Sequence, residues 1–411
     1  MRDSDWTRIL GWPGYRVYQH EIDEKAGTLK IWVRRKRNNQ KFVCSGCGRR
    51  CSELHEVISR EVRDLPWGQF RATVVVELYR VRCPDCGPRV EKTAQVLGKA
   101  PFSKRFEDAV GQACESAAAR RVAHQFGLAE STVRAIDLRY LERWSAARRK
   151  PALKQMGVDE IYPGKTTKFL TVVSNLELGE PIWFGQNRKK ETLDEFFRTQ
   201  LRQGQRSRIE AACVDMWAPF KSSIKQWAPN CAIVYDKFHV MQHANQAVDE
   251  VRRAEFFRKG GWRRKIVKGK RWLLLTRWVN LSGQKQQELN QLFALNRRLM
   301  KAYLLKESLD RLWLQPNEDK AREYLQAWIR QLRWQRLPAF QKLAYLLLDH
   351  LEGLLSYYRV KVRLGVVEAI NGNIRTVLKR GRGYKNLRYL LLKVQRMAAT
   401  KTEFVAFRKA A

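Results

Sequence analysis

Two Cys-x-x-Cys pairs constrain the fold of this chain more tightly than any other feature of its sequence. Each pair is followed at once by glycine, in the segments CSGCG from Cys44 and CPDCG from Cys83. A Cys-x-x-Cys turn points two thiolates at one position, and the next glycine permits the turn that presents them. Two such turns complete a closed, structural zinc site, whose predicted ligands are Cys44, Cys47, Cys83 and Cys86. We expect a zinc ribbon at residues 41–98, preceded by an N-terminal lead at residues 1–40.

The residues around the two pairs agree with a ribbon. Alternating apolar residues over Thr73–Arg82 predict a strand that runs directly into the second pair. Cys51 and His55 lie close to the first pair, and either could replace a ligand. Two disulfides are the competing interpretation, which a reducing cytoplasm disfavours. The other cysteines are predicted to be small core residues: Cys114, Cys213 and Cys231.

The charge of the chain predicts a polyanionic partner. Its 411 residues include 80 Lys and Arg against 41 Asp and Glu, a formal net charge of +39. Nucleic acid is the commonest partner for such a surface, and an anionic membrane or the ribosome are the alternatives. No run of 18 apolar residues is present, and the segment MRDSDWTRIL lacks the features of a secretory signal. The expected location is the cytoplasm, in association with the nucleoid.

A stretch from Val251 to Asn280 combines basic and aromatic residues. It contains eleven basic residues and one acid. Arginine forks suit phosphates and aromatic rings stack on unpaired bases, so DNA contact is one interpretation. A solvated helix face over a Trp-rich core is the other. The aromatic residues concerned are Phe256, Phe257, Trp262, Trp272 and Trp278.

Residues 99–150 are predicted to form a helix-turn-helix DNA-binding domain. Val122, Ala123 and Phe126 form one apolar face, and Gly127 can end the first helix in a left-handed conformation. The second helix of this motif enters the major groove by its N-terminal residues. An ordinary helical hairpin is the alternative. The predicted DNA contacts are Ser131, Thr132, Arg134 and Arg139.

From Lys154 onward the sequence alternates between strand and helix patterns. The order is strand, strand, strand, helix, strand, helix, strand, which is typical of a ribonuclease-H-like α/β fold with a mixed sheet. We expect residues 151–245 to be the first part of a catalytic core. The predicted strands are 154–162, 168–177, 181–187, 209–217 and 231–240, and the predicted helices are 189–202 and 218–229.

Asp159 and Asp215 each follow an apolar run, at the ends of strands that would be neighbours in this fold. Two nearby carboxylates repel, and burial raises the cost, unless a cation lies between them. Mg²⁺ prefers oxygen ligands and bridges carboxylates and phosphate. Two such ions about 3.5–4 Å apart stabilise the attacking and leaving oxygens of phosphoryl transfer. A single Asp at a strand end is often only a turn cap, so the prediction depends on the matching positions of the two.

The chain then loses its strand pattern. Residues 246–355 are predicted to be an all-α insertion, and residues 356–411 to be the last part of the core with a basic tail. On a helix, Glu368 shares a polar face with Asn371 and Arg375. An acid on a basic, DNA-facing helix weakens binding unless it serves a metal, so Glu368 is the third predicted carboxylate. The predicted DNA contacts of this part are Asn371, Arg375, Lys379, Arg380, Arg382 and Lys385. Two more, Arg188 and Lys189, lie where the helix at 189–202 begins.

Taken in order, the motifs resemble those of insertion-sequence transposases of the ISL-three family, which belong to the three-carboxylate (DDE) type. The likeness extends over about residues 42–395. Besides the cysteine pairs, the matching segments are RDLPW at 63–67, GVDE at 157–160, VDMW at 214–217, YDKFH at 235–239, VEAIN at 367–371 and GYKN at 383–386.

The resemblance implies a ribonuclease-H-like core with catalytic Asp159, Asp215 and Glu368 and two divalent ions, Mg²⁺ or Mn²⁺. It implies recognition of terminal inverted repeats. Water would attack the phosphate at the transposon end, and the freed 3′-hydroxyl would then attack target DNA. A homodimer is expected, because two ends must be cut in concert.

Asp236-x-x-His239 is similar to an acid-x-x-His motif that several groups of DDE transposases carry near the active site. That likeness gives His239 a supporting role, and Asp236 could compete with Asp215 as a metal ligand. By spacing alone, His239 and His243 could form a metal-binding pair, with a structural histidine as the alternative.

Other functional classes remain as alternatives. The chain could be a catalytically inactive, transposase-derived DNA-binding regulator, although all three carboxylates are present. A junction resolvase of the same fold usually lacks the ribbon and the helix-turn-helix. A zinc-finger transcription factor has no use for the α/β region.

Overall fold

A computed structural model of the protein describes residues 2–37, 42–149, 151–164, 168–258 and 262–399. The side chains of Trp262 and Arg263, the residues 259–261 of the basic and aromatic stretch, and residues 400–411 of the predicted tail lie outside this description. The chain divides into two compact units, one ending at Arg148 and the other beginning at Arg149. In the described residues, no helix is both long and apolar enough to cross a membrane.

The first unit opens with a mixed β-sheet in the order β1-β2-β6-β5. Strand β2 runs parallel to β6, and the other pairs are antiparallel, with β7 pairing with the end of β6. Its elements are α1 (Asp3–Leu10), β1 (Tyr15–Asp23), β2 (Thr28–Arg35), β3 (Phe42–Val43), β4 (Arg50–Cys51), β5 (Leu54–Arg63), β6 (Arg71–Cys83) and β7 (Gly87–Val90). The predicted strand into the second cysteine pair is confirmed, since β6 ends at Cys83.

The description of residues 1–40 as a lead was wrong. Residues 3–35 contribute a helix and two strands to the sheet that carries the ribbon. The reason is local, because Leu29, Ile31 and Val33 alternate along β2 and bury one face of that strand. Trp6 and Leu10 of α1 belong to the same buried cluster.

Three helices complete the first unit: α2 (Lys104–Ser116), α3 (Ala119–Phe126) and α4 (Glu130–Ala147). Gly127 ends α3 with φ of 57°, in the left-handed region that glycine adopts without strain. Val122 and Ala123 of α3 and Val133 and Ile136 of α4 form a shared buried cluster. The turn between the two helices therefore lies where the sequence placed it.

Buried polar contacts hold these helices to the sheet. Asp64, 1% exposed, accepts hydrogen bonds from Ser103 Oγ at 2.6 Å and from Arg105 Nε at 2.7 Å. Arg63 donates through Nη2 to the carbonyl oxygen of Phe126 at 2.5 Å. Residues predicted as a ribbon and a separate helical domain thus form one compact unit.

The second unit contains a five-stranded sheet in the order β10-β9-β8-β11-β12. The β10–β9 and β9–β8 pairs are antiparallel, and the β8–β11 and β11–β12 pairs are parallel. Strands β8, β10, β11 and β12 therefore all end at the same edge, which we call the acidic edge. The strands are β8 (Gln155–Ile161), β9 (Leu170–Asn175), β10 (Glu180–Gln186), β11 (Ala211–Val214) and β12 (Ala232–Tyr235).

Helices cover this sheet and form the rest of the unit. In the described part of residues 237–399, no strand occurs. Two 3-10 turns lie at 278–280 and 311–314. The helices are α5 (Lys190–Gln200), α6 (Gln203–Arg206), α7 (Ala218–Trp227), α8 (Lys237–Arg258), α9 (Trp262–Val267), α10 (Arg271–Leu275), α11 (Gly283–Leu295), α12 (Arg297–Asp310), α13 (Glu318–Leu332), α14 (Pro338–Asp349), α15 (Leu351–Val360), α16 (Val366–Gly381) and α17 (Leu387–Ala398).

The predicted fifth strand was too long. It was expected to continue to Val240, but β12 ends at Tyr235 and α8 begins at Lys237. Asp236 Oδ1 accepts a hydrogen bond from the backbone N–H of Phe238 at 3.0 Å. This contact satisfies a donor of the first helical turn and so starts α8 directly after the strand.

Helix α16 crosses β8 at a glycine. A Cβ atom on Gly157 would lie 2.8 Å from Val367 Cγ2 and 2.9 Å from Leu176 Cδ2. Val367 and Leu176 are both buried. Only a residue without a side chain permits this approach, which sets the position of Glu368, one residue after Val367.

We predict that Gly157→Val lowers the free energy of unfolding by about 1–3 kcal/mol, because the added methyl groups overpack the crossing. Chemical denaturation followed by circular dichroism measures this. The control is Gly372→Ala in the interior of α16, where a Cβ meets no atom within 4 Å. It should raise stability by up to about 1 kcal/mol through helix propensity. Equal midpoints for Gly157→Val and the unmodified protein would contradict the close crossing.

Candidate functional site

The two cysteine pairs converge on one point in the first unit. The ligand atoms of Cys44, Cys47, Cys83 and Cys86 all lie within 4.8 Å of one another, and Cys47 Sγ is 3.5 Å from Cys83 Sγ. Gly48 and Gly87 have positive φ values of 78° and 67°, as the knuckle pattern predicts. The spare residues do not join the group: Cys51 lies beside Cys83 but outside the set of four mutually close sulfurs, and His55 is exposed.

Two thiols of this cluster have strongly shifted pKa values. Burial raises the pKa of Cys83, but the backbone N–H groups of Asp85 and Cys86 donate to its sulfur and lower the pKa to about 7. The neighbouring Cys47 thiol raises the pKa of Cys86 to about 12. Cys83 thus loses its proton readily, whereas Cys86 gives up its proton only when a metal replaces it, so metal binding at this site releases protons.

The other cysteines are buried: Cys114 and Cys213 almost completely, and Cys231 at 9% exposure. Burial raises the pKa of Cys231 to about 12 and raises that of Cys213 well above its usual value. They are therefore core residues, as the sequence predicted.

Carboxylates from three strands and one helix meet at the acidic edge of the second unit. Asp159 lies within β8 and is buried, at 6% exposure. Asp215 directly follows β11 with its side chain 34% exposed, and Asp236 directly follows β12 and is 3% exposed. Glu368 lies in the first turn of α16. Sheet topology thus brings together acids that are up to 209 positions apart (368 − 159) in the chain.

His239 lies between two of these acids. Its Nε2 atom is 3.4 Å from Asp159 Oδ1, and its Nδ1 atom is 3.9 Å from Asp215 Oδ1. Burial lowers the pKa of His239, but the hydrogen bond to Asp159 and the charges of Asp159, Asp215 and Asp236 together raise it to about 9. His243, one turn along α8, has a lowered pKa because of burial and makes no ion pair with a described carboxylate.

The raised pKa of Asp236 reflects repulsion between the acids. Burial raises its pKa, and the charges of Asp159 and Glu368 raise it further, against the opposing effects of the Phe238 N–H and His239. Glu368 is therefore close enough to the edge for its charge to raise the pKa of Asp236. Its own carboxylate, however, accepts a hydrogen bond from Arg375 Nη1 at 2.9 Å. In the described residues, the cysteine cluster is the one group of three or more possible metal ligands whose atoms all lie within 4.8 Å of one another, so the acids at the edge do not form a cluster that compact.

Asn371 does not face solvent, as was expected of a DNA contact. It is 1% exposed, and its Nδ2 atom donates to Asp159 Oδ2 at 2.5 Å. Its Oδ1 atom is buried and has no hydrogen-bond partner. One helical turn after Glu368, the side chain points at the acidic edge. The i, i+3 spacing places Asn371 on the same helix face as Glu368. The sequence analysis predicts that this asparagine contacts DNA, whereas the structure turns it toward Asp159.

The remaining predicted DNA contacts differ in exposure. Thr132, Arg139, Arg188 and Arg380 are half-buried. Arg139 donates twice to the buried carboxylate of Glu107, at 3.0 and 2.5 Å, so it balances a buried charge. The exposed members are Ser131, Arg134, Lys189, Arg375, Lys379, Arg382 and Lys385.

The aromatic residues of the stretch from Val251 to Asn280 fit two interpretations: some are exposed, as DNA contacts would be, and others belong to the core. Phe257 and Trp272 are 76% and 70% exposed, whereas Phe256 and Trp278 pack against the main core of the unit. Arg271 lies 5.1 Å from the ring centre of Trp272. Of the four aromatic side chains of this set that the structure describes, two are therefore core and two face solvent.

Two family models match the chain. One, described as a transposase of the ISL-three DDE type, covers residues 156–394, and the other, described as the zinc-finger of transposase IS204/IS1001/IS1096/IS1165, covers residues 40–86. The predicted family resemblance is thereby confirmed. The second match and the cysteine cluster together support a structural zinc ion.

Relatives match along nearly the whole length. The chain is 33% identical over 393 residues to the transposase for insertion sequence element IS1001 of Bordetella parapertussis, covering 94% of this chain and 95% of that protein. It is 26% identical over 401 residues to the IS1557 transposase of Mycobacterium tuberculosis, covering 91% and 89%. A Drosophila P element transposase strand transfer complex aligns at 12% identity with a TM-score of 0.40 over 74% of this chain and 94% of that one, which is too distant to argue from.

We predict that the protein binds one zinc ion and that Cys83→Ser abolishes this stoichiometric binding. Loss of one thiolate opens the site, and zinc-binding free energy is folding free energy in such modules. Elemental analysis and thermal melting measure both effects. Cys51→Ser is the matched control and should retain one zinc. Zinc loss from Cys51→Ser equal to that from Cys83→Ser would contradict the four-ligand assignment.

Proposed function

Because the chain belongs to the ISL-three family of DDE transposases, we propose that it cuts DNA at the terminal inverted repeats of an insertion sequence and joins the freed 3′ ends to target DNA. The observation that carries this proposal is the convergence of Asp159, Asp215 and Glu368 at one sheet edge. In this proposal the sheet order β10-β9-β8-β11-β12 is a ribonuclease-H-like core that the helices between α8 and α15 interrupt.

Divalent cations fit the acidic edge. Its donors are carboxylate oxygens and one buried amide oxygen, Asn371 Oδ1, that lacks a partner. Oxygen ligands of this kind select Mg²⁺ or Mn²⁺. We assign the ligand role to Asp159, Asp215 and Glu368. Two ions held by these residues would stabilise charge on the attacking and leaving oxygens of phosphoryl transfer.

Hydrogen bonds to both oxygens fix the orientation of the Asp159 carboxylate. The backbone N–H of Glu160 donates to its Oδ1 at 2.7 Å, and Asn371 donates to its Oδ2. A buried carboxylate with both oxygens engaged has one orientation, so it presents the same lone pairs in every cycle. Asn371 is therefore a positioning residue that also ties α16, and with it Glu368, to β8.

Asp215 and Asp236 have different roles in this proposal. Asp215 is partly exposed and can reach a phosphate, whereas Asp236 is almost fully buried and caps α8 through Phe238. We assign metal binding to Asp215 and a structural role to Asp236. His239, placed between Asp159 and Asp215, holds the two carboxylates apart and offers a proton at Nδ1 or Nε2.

Arg375 competes with a metal ion for the Glu368 carboxylate. The two side chains form an exposed ion pair, which is weak and screened by salt. Arg375 is itself a predicted phosphate contact. A DNA phosphate that binds Arg375 would free Glu368, so DNA binding and completion of the acidic edge favour each other.

The first unit supplies DNA recognition in this proposal. Helices α3 and α4 form a helix-turn-helix, with Ser131, Thr132 and Arg134 at the start of the recognition helix. Arg134 pairs with Glu130 one turn earlier at 3.3 Å, an exposed contact that phosphate can replace. The zinc ribbon supports this module from the same compact unit. We further propose that a homodimer cuts both ends, and that the protein acts in the cytoplasm at the nucleoid.

The test is a strand-transfer assay with purified protein, a duplex carrying the element's own end, a supercoiled target plasmid and Mg²⁺. We predict that Asp159→Asn, Asp215→Asn and Glu368→Gln each reduce cleavage and joining by roughly a thousandfold or more, because each removes a charged ligand. All three should still bind the end duplex in gel-shift assays.

Asp236→Asn is the matched control, since asparagine caps helices as well as aspartate does. It should retain cleavage within about tenfold of the unmodified protein. A protein that binds the end but never cuts with Mg²⁺ or Mn²⁺ would instead be a DNA-binding regulator. Loss of activity in Asp236→Asn equal to that in Asp215→Asn would overturn the division of tasks between these two acids.

A further inference from the structure

A pocket of about 460 Å³ lies next to the acidic edge, and the proposed chemistry does not use it. It opens where β10 and β11 end: Arg188 comes two residues after β10, and Trp217 comes two residues after Asp215. Phe169, directly before β9, forms another wall. Since these strand ends share one edge with β8, the pocket is a neighbour of the proposed catalytic carboxylates.

The ring of Trp217 is held in place although it is exposed. Its Nε1 atom donates to the carbonyl oxygen of Arg188 at 3.3 Å, and the guanidinium carbon of Arg188 lies 4.7 Å from the ring centre. The same guanidinium carbon lies 4.4 Å from the ring centre of Phe169. Arg188 is fixed in turn by Glu160, through an ion pair of 2.9 Å. Trp217 is nevertheless 38% exposed.

Burial of apolar surface does not account for this arrangement. A tryptophan that only covers the start of α7 gains stability by hiding its ring, as Trp227 at the far end of α7 does by packing against the core. Trp217 instead keeps part of its ring open while its orientation is fixed. An aromatic face that is ordered beforehand loses little entropy when a planar group stacks on it.

The polar groups of the pocket favour an anion near one end. Lys190 is already engaged by Asp194 and Gln226, both at 2.6 Å. Lys189 is exposed and forms no ion pair with any carboxylate of the described residues. Glu191, also in the pocket wall, repels an anion from its own side. A phosphate would therefore bind at Lys189, with an attached planar ring toward Trp217.

A nucleotide carries a planar base and a phosphate on one sugar, and DNA is the polyanion that the proposed function brings to this edge. We infer that this pocket holds one unpaired nucleotide of the DNA strand beside the bond that is cut, with its base on Trp217 and its phosphate on Lys189. This inference rests on the proposed function and adds a binding site to it. A base in a duplex is covered on both faces by its neighbours, so it must leave the stack to reach the ring.

The site has a consequence for the DNA that the enzyme prefers. Every base has a face that can stack, so the pocket tolerates any sequence at this position. An end in which that base is already unpaired avoids the cost of leaving the stack. The protein should therefore bind such an end more tightly than the fully paired one.

The test compares two end duplexes that differ only in one unpaired nucleotide next to the cleavage position, with that position scanned on both strands. Fluorescence anisotropy without divalent metal gives both affinities while no strand is cut. We expect the unmodified protein to prefer one unpaired duplex by about tenfold, from stacking. Trp217→Leu should abolish the preference, and Trp217→Phe, which keeps an aromatic face, should retain most of it.

Two further variants separate the pocket from general DNA binding. Lys189→Gln should weaken binding of the preferred duplex and flatten the dependence of its affinity on salt, because one phosphate contact is lost. Trp334→Leu is the matched control, since Trp334 is 79% exposed beside Arg333 but lies outside the pocket. It should leave the preference unchanged. Thermal melting checks that each variant is folded.

Each outcome decides a different claim. If folded Trp217→Leu keeps the full preference, or if the unmodified protein shows none at any position, the pocket inference is overturned and the transposase proposal stands. Displacement of the preferred duplex by free dAMP would assign the pocket to a free nucleotide instead of a DNA strand. A protein that binds its own end no better than a scrambled duplex would fail the proposed function itself.

Discussion

Mutual repulsion among carboxylates at the acidic edge is the constraint on which the second unit depends. Asp159 and Asp236 are both buried there, and the raised pKa of Asp236 reflects burial and the charges of Asp159 and Glu368. Two polar side chains offset this repulsion at Asp159. Asn371 donates a hydrogen bond to its carboxylate, and His239 lies beside it. Arg375 neutralises Glu368 from its own helix. Each of these contacts lessens a repulsion that a divalent cation would remove altogether.

The same constraint explains why acids persist in a chain with a formal net charge of +39. A surface of this charge attracts DNA over long range, whereas a carboxylate beside a phosphate repels it. Cations between the two resolve the conflict, and in this account they also carry the chemistry. Arg375 and the Trp217 pocket lie around the edge at positions where a bound strand would contact them. DNA binding and catalysis are thus linked through the electrostatics of a small group of side chains.

Sequence reasoning succeeded where the signal is local. The cysteine spacing predicted the zinc cluster, Gly127 predicted the turn before α4, and the order of elements along the chain predicted the strands of the second sheet. It failed where a contact crosses the chain. Sequence reasoning predicted a lead at residues 1–40 because the partner of strand β2, strand β6, lies some 40 residues further along the chain. The spacing of Asn371 from Glu368 places both on one face of α16, but it does not show that this face meets Asp159, 212 residues earlier, so sequence reasoning predicted a DNA contact.

The most direct measurement is the position of Mn²⁺ in crystals of the protein bound to its inverted-repeat duplex, located by anomalous scattering. The account predicts anomalous peaks at the acidic edge, coordinated by Asp159, Asp215 and Glu368, with Arg375 moved from Glu368 to a DNA phosphate. Asp236 should remain bound to the Phe238 N–H and free of metal. Manganese on Asp236 in place of Asp215, or bound DNA with no metal at this edge, would contradict it.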